Sequence, residues 1–249
     1  MKRILILSVL CIMFVSAIID EKKTIWLCGD STIAIKETKA YPETGWGMPF
    51  VYFWDAAVQV KNLAKNGRST KTFISENLWQ QVMDGIKEGD YVIIQFGHND
   101  ESVEKKERYA PPAEFKSNLV KFITEARLKK ATPILLTPVS RRKFDTIGIA
   151  QETHQAYSAY VKEVANEHNV LLIDLDTQSR MLYQQFGKEN SNLLFMQLKA
   201  GEHPNYPEGR NDNTHFNELG ARLIAQLVLK NIKELNTDLN KHIVISKIK

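Results

Sequence analysis

Two short stretches near opposite ends of the 249-residue chain carry the residue types of nucleophilic catalysis. Gly29-Asp30-Ser31 offers a serine hydroxyl, and Asp212-Asn213-Thr214-His215 offers an imidazole with a carboxylate three residues before it. A serine hydroxyl is a poor nucleophile until a neighbouring base takes its proton. Histidine is suited to that task, and a carboxylate on its other ring nitrogen fixes the tautomer and steadies the imidazolium. Acyl transfer also needs donors aimed at the oxygen that becomes an anion. Asn66-Gly67-Arg68-Ser69 and Gly97-His98-Asn99-Asp100 bring small, hydrogen-bonding residues to two further breaks in the chain. Each piece alone also has an ordinary reading. Ser31 is a common helix N-cap, Asp212 would cap a following helix, and Gly67 and Asn99 are frequent turn residues.

The elements that must position these pieces follow from hydrophobic patterning. Apolar runs at Thr24–Cys28, Val58–Leu63, Tyr91–Phe96, Ile134–Val139 and Val170–Leu175 have the near-continuous apolarity of parallel strands buried on both faces. Helix-period stripes lie between them. Ile74, Leu78, Val82 and Ile86 form one, and Phe115, Leu119, Phe122 and Ala126 another. A third helix is expected over Glu152–Glu167 and a last one over Asn217–Ile232, with residues 187–214 irregular. Such alternation predicts one domain: a three-layer α/β/α sandwich with a five-stranded parallel sheet of flavodoxin-like type. Ligands of open α/β sheets bind at the carboxyl ends of the strands, and the Gly29, Asn66 and Gly97 segments follow the first three of them.

Four blocks in this order, each at a strand end or before the last helix, resemble the SGNH hydrolases, whose letters stand for the serine, glycine, asparagine and histidine of those blocks. The resemblance implies a catalytic triad of Ser31, Asp212 and His215. It also implies an oxyanion hole from the backbone N–H groups of Ser31 and Gly67 and the side-chain amide of Asn99, with no cofactor. Within that superfamily, Gly29-Asp30-Ser31-Thr32, Thr44-Gly45-Trp46-Gly47, Gly67-Arg68-Ser69-Thr70-Lys71, Phe96-Gly97-His98-Asn99-Asp100 and Asn213-Thr214-His215-Phe216-Asn217 look like rhamnogalacturonan acetylesterases. Thr137-Pro138-Val139-Ser140-Arg141-Arg142 shares that likeness. Those enzymes remove acetyl groups from the pectin backbone, so the expected partner is an acetylated polysaccharide. Esterases of other acetylated glycans or of acyl lipids share the catalytic blocks, and a carbohydrate-binding protein that has lost catalysis is the non-enzymatic alternative. Trp46 is open to two readings, a packed core aromatic or a wall for the sugar or acetyl group. Arg68, Arg141 and Arg142 are either ligands for galacturonate carboxylates or members of structural ion pairs.

Composition narrows the rest. Lys2 and Arg3, the apolar run Ile4–Val15 and the exit Val15-Ser16-Ala17 read as a secretory signal over residues 1–17, leaving 18–249 as the enzyme domain, secreted or periplasmic and free of the membrane. Removing Lys2 and Arg3 takes the formal net charge from +4 to +2, too little to argue for nucleic acid. With Cys11 inside the signal, Cys28 has no partner for a disulfide or a thiolate zinc site, and a buried inert thiol is expected. His154, His168 and His203 lack the paired spacing of a metal site, and no glycine-rich phosphate loop follows any strand. Nothing in the sequence sets an oligomeric state.

Overall fold

The computed structural model describes residues 22–244; the expected signal at residues 1–17 lies outside them. Five strands, β1 (Lys23–Gly29), β2 (Val58–Asn62), β3 (Tyr91–Gln95), β4 (Thr132–Leu136) and β5 (Leu171–Ile173), pair in parallel in the order β2-β1-β3-β4-β5. This is the flavodoxin-like order, and it reverses direction between β1 and β3. Alternate side chains of each strand feed two cores. Ile25, Leu27, Ile93, Ile134 and Leu136 face one side, and Trp26, Cys28, Val92, Ile94 and Leu135 face the other. Cys28 is wholly buried, and burial pushes its thiol well above the ordinary range.

Helices α2 (Thr70–Ser75), α3 (Leu78–Gly85), α4 (Pro112–Leu128) and α5 (Gln155–Glu167) cover the second core. Helices α1 (Gly47–Phe50), α6 (Leu175–Asn190) and α7 (Glu218–Glu234) cover the first. Local chemistry sets their ends. Pro112, which needs no N–H partner, opens α4, and the Ser69 side chain closes a capping box with Thr72 at α2.

The structure departs from the expected elements in three places. The stripe from Ile74 to Ile86 is not one helix. It breaks into α2 and α3 at Asn77, which takes the left-handed conformation (φ 59°) that asparagine tolerates. The third helix begins at Gln155, after His154, three residues later than expected. The segment 187–214 is largely ordered: α6 runs to Asn190 across a non-helical Gly187, and β6 (Phe195–Leu198) pairs antiparallel with β7 (Arg210–Phe216). Asp212 and His215 therefore lie on a strand of a separate two-stranded ribbon, and the cap of α7 is Asn217, which accepts from Gly220 N–H at 3.1 Å.

Between β1 and β2 the chain folds back on itself. Trp46 N–H donates to Thr32 C=O at 2.8 Å and Gly47 N–H to Ile33 C=O at 3.2 Å, so the Trp46 loop lies directly on the turn after β1. Gly45 makes this approach feasible, because a Cβ there would stand 2.1 Å from the Ala34 carbonyl oxygen. Gly45→Ala is expected to lower stability by about 1–3 kcal/mol, the usual cost of overpacking a tight contact. Urea unfolding of the two proteins measures it.

Candidate active site

β1 ends at Gly29, and no helix starts at Ser31, which removes the N-cap reading of that serine. Residues 30–34 instead make a tight turn in which Asp30 C=O accepts from Ile33 and Ala34 N–H. The Asp30 carboxylate, wholly buried, accepts from Thr32 N–H (2.9 Å) and Thr32 Oγ1–H (2.7 Å). Thr32 Oγ1 in turn accepts from Gln95 Nε2 at 2.7 Å, and Gln95 Oε1 accepts from Trp46 Nε1 at 3.0 Å. A buried polar chain thus runs from the Trp46 ring to the turn that presents Ser31. Trp46 is 0% exposed, so it is no wall for a sugar; its indole sits in the core because Gln95 satisfies its only polar atom.

β7 supplies the other half of the site. Phe195 pairs with Phe216 but Met196 with Asp212, so residues 213–215 bulge out of the ribbon. Within that bulge Asp212 Oδ1 accepts from the N–H groups of Thr214 (2.8 Å) and His215 (3.0 Å). Its Oδ2 accepts from His215 Nδ1 (2.8 Å) and Arg210 Nη2 (2.7 Å). Burial alone would raise this carboxyl, but the hydrogen bond and charge of His215 and the bond from Arg210 hold it well below the usual carboxylate range. Asp212 is therefore ionised and can only accept, which assigns the His215 proton to Nδ1 and leaves Nε2 facing Ser31 Oγ at 2.9 Å. Ser31, His215 and Asp212 form one hydrogen-bonded line.

The expected oxyanion donors are brought together by side-chain stitches between loops. Lys36 Nζ donates to Ser31 C=O (2.6 Å) and to Asn66 Oδ1 (2.8 Å), tying the Ser31 turn to the loop after β2. Asn99 Nδ2 donates to Arg68 C=O (2.8 Å), tying the loop after β3 to the same place. Gly67 lies between those two anchors. Its φ of +77° is what requires glycine, since a Cβ there would meet only the Arg108 side chain, at 3.3 Å. Neither Ser31 N–H nor Gly67 N–H has a partner among the described residues, and Asn99 uses one of its two amide hydrogens. Asp100, wholly buried, locks the arrangement by accepting from Thr70 N–H (2.8 Å), Thr70 Oγ1 (2.6 Å) and Gly97 N–H (3.1 Å). Burial nonetheless pushes its carboxyl up to about 7.

The arginines considered as substrate ligands have internal partners. Arg68 makes two contacts to Glu76 Oε2 (2.9 and 2.8 Å) and one to Asn66 C=O. Arg142 holds the bulge: its N–H donates to Asn213 C=O (2.8 Å) and its guanidinium to Asn213 Oδ1, Ser191 Oγ and Lys188 C=O. Arg141 donates to Thr214 Oγ1 (2.8 Å) and pairs with Glu101 (3.4 Å), and about a third of its side chain is exposed. Lys36, Glu43 and Arg210 were not singled out by sequence. Only Arg210 left a signal there, since on a strand the residue two before Asp212 shares its face.

Behind the line, His98 is buried against His154, ring centroids 4.1 Å apart, and neither nitrogen of His98 has a hydrogen-bond partner among the described residues. Burial, followed by the neighbouring His154 and Arg141 charges, holds His98 neutral, well below the ordinary imidazole range. Among the described residues no group of three or more His, Cys, Asp or Glu side chains is arranged to hold a metal ion. Because the unfolded chain takes up a proton at His98 below about pH 6.5 and the folded chain does not, this contribution to stability is complete above that pH and is lost as pH falls. His98→Gln should therefore show a smaller drop in Tm between pH 7 and pH 5 than the wild type, read by calorimetry.

With this geometry in place, comparison with known proteins identifies the family. A family model described as GDSL-like Lipase/Acylhydrolase matches residues 27–223. Rhamnogalacturonan acetylesterase RhgT of Bacillus subtilis is 40% identical over 220 residues, 88% of this chain and 94% of the relative. A probable rhamnogalacturonan acetylesterase, YesY, of the same organism is 38% identical over 221 residues, 88% and 97%. The crystal structure of YxiM from Bacillus subtilis superposes with a TM-score of 0.76 at 29% identity; it covers 87% of this chain, which spans 58% of that protein. A mutant of Axe2, an acetyl-xylooligosaccharide esterase from Geobacillus, shares the fold at a TM-score of 0.61 and 18% identity, over 84% of this chain and 94% of its own. The chain belongs to the GDSL-like lipase/acylhydrolase family and is a carboxylic ester hydrolase.

Proposed function

We propose that this protein is a secreted or periplasmic serine acetylesterase that deacetylates a pectic polysaccharide, rhamnogalacturonan. The observation that carries the reading is the Ser31–His215–Asp212 line, with three potential oxyanion donors stitched around it. Ser31 Oγ attacks the acetyl carbonyl while its proton passes to His215 Nε2, and the Asp212 carboxylate stabilises the imidazolium. The tetrahedral oxygen accepts from Ser31 N–H, Gly67 N–H and the second amide hydrogen of Asn99. Collapse breaks the bond to the sugar oxygen, which takes the proton from His215 and departs as the hydroxyl, leaving acetyl-Ser31. Water, activated by the same imidazole, then releases acetate. The cycle needs no cofactor.

Two relatives at 40% and 38% identity bearing the name rhamnogalacturonan acetylesterase support the pectic substrate. A groove of about 550 Å³ lined by Lys36 and Glu43, and flanked by the exposed rings of Tyr41 and Tyr52, offers a polymer further surface. Of the three arginines, Arg141 is the candidate for a galacturonate carboxylate, because it combines exposure with a position against Thr214. The basic start and apolar run of residues 2–15, read as a signal, support export.

Loss of an oxyanion donor typically costs about 10²–10³ in kcat, so Asn99→Ala is expected to lower kcat by that factor with little change in KM. A change confined to KM would place Asn99 in substrate binding instead. Substrate class is settled by kcat/KM for acetate release from acetylated rhamnogalacturonan, acetylated xylan and short and long acyl esters in one buffer, with Ser31→Ala as the inactive control. Highest efficiency on acetylated rhamnogalacturonan is expected. Higher efficiency on xylan or on long acyl chains would overturn the pectic substrate and leave the serine mechanism standing.

A further inference from the structure

The Asp212 carboxylate is shared. Oδ2, the oxygen that receives the His215 Nδ1 proton, also receives Arg210 Nη2, at 2.7 Å against 2.8 Å for the imidazole. The guanidinium lies over the Tyr206 ring, 5.6 Å from its centroid, and Glu43 Oε2 stands 4.0 Å from its Nη2. Glu43 is in turn paired with the buried Lys36 at 2.8 Å, and Lys36 Nζ reaches Ser31 C=O at 2.6 Å. Charges alternate along this chain: Lys36, Glu43, Arg210, Asp212, and then the imidazole. It starts at the carbonyl of Ser31 and returns, through His215, to the hydroxyl of the same residue.

We propose that Arg210 is a positioning residue that sets the basicity of His215 through Asp212, with Lys36 and Glu43 balancing its charge. A carboxylate that already carries a guanidinium presents a weaker negative potential to the ring beside it. Arg210 therefore disfavours the imidazolium and moves the working range of the base toward lower pH. It also fixes the carboxylate plane, because Oδ1 is held by two backbone N–H groups and Oδ2 by two side chains. The other charged and titratable groups facing the Asp212–His215 pair are Asp30 and Lys36 after β1, Glu43, His98 after β3, Arg141 at Thr214, and Tyr206. None of these makes a hydrogen bond to the Asp212 carboxylate, whose side-chain partners among the described residues are Arg210 and His215.

This assignment rests on the serine esterase reading, and the two are tested separately. The His215 ring is titrated by NMR in protein labelled at histidine, its signal identified by loss in His215→Asn, and kcat/KM for a neutral short acetyl ester is followed against pH. Arg210→Met is expected to raise the His215 midpoint by about 0.5–1 unit, an effect of the size that nearby charges produce, and to move the acid limb of kcat/KM with it. KM for the neutral ester should hold. Arg210→Lys, which keeps the charge, should bring the midpoint most of the way back. Glu43→Gln removes a counter-charge to Arg210 and Lys36, so it should move the midpoint in the opposite direction, downward. Mere loosening of the fold does not give shifts of opposite sign. An unmoved His215 midpoint in folded Arg210→Met, or equal shifts in Arg210→Met and Arg210→Lys, would overturn the assignment whether or not the wild type cleaves the ester. Absence of ester cleavage by the wild type would overturn the esterase reading alone.

Discussion

Asp30 and Asp100 are both wholly buried, and the strand-end loops take their shape from what these two carboxylates accept. Burial raises both carboxyls, and each hydrogen bond they accept favours the ionised form and offsets part of that cost. Asp30 accepts from Thr32 and so bends the chain sharply beyond β1. Asp100 accepts from Thr70 and Gly97 and so clamps the start of α2 to the end of β3. Loops on a parallel sheet are otherwise free to drift apart, since no ladder joins them past the last strand residue. Here the ladders stop at Gly29, Asn62 and Gln95, and buried polar contacts take over within a few residues.

The second half of the site is held by different means. The bulge in β7 ties Asp212 Oδ1 to its own backbone, while Arg142 and Gln197 grip Asn213 and Arg141 grips Thr214 from outside. Two adjacent arginines after β4 thus brace adjacent residues of the bulge. The guanidinium geometry matters for this bracing, because one planar group reaches three acceptors on two segments, the end of α6 and the bulge.

How much of this was legible depended on the range of the physics involved. The five-stranded sheet could be read because strands buried on both faces are apolar throughout, and that property is local. The Ser31, Gly67 and Asn99 segments could be placed at one edge because open sheets present their loops there. The break at Asn77 was hidden because Ile74 and Leu78 keep the helical interval across it, even though one residue between them turns left-handed. The ribbon at 195–216 was hidden because β7, Arg-Asn-Asp-Asn-Thr-His-Phe, is almost entirely polar and pairs for the sake of its bulge rather than its burial. Trp46 stayed ambiguous because flanking glycines suit both an open loop and a tight crossing; the acceptor on Gln95, 49 residues away, decides between them. Lys36 and Glu43 meet seven residues apart across an irregular loop, a spacing with no periodic signature, and no pattern announces them.

The ribbon's separation from the main sheet has a kinetic side. Ser31 and the loops around it are anchored on the five parallel strands, whereas His215 and Asp212 ride on a two-stranded unit that shares no ladder with them. Its backbone joins the rest by single bonds such as Thr44 N–H to Phe216 C=O and Arg142 N–H to Asn213 C=O, while Phe195 and Phe216 bury their rings in the core that α6 and α7 cover. Cooperative units of this kind open with their own free energies, below that of global unfolding. Residues 210–215 are only partly buried, so their amides would exchange ahead of those in β1 and β3, and heating would part His215 from Ser31 while the sheet still stands.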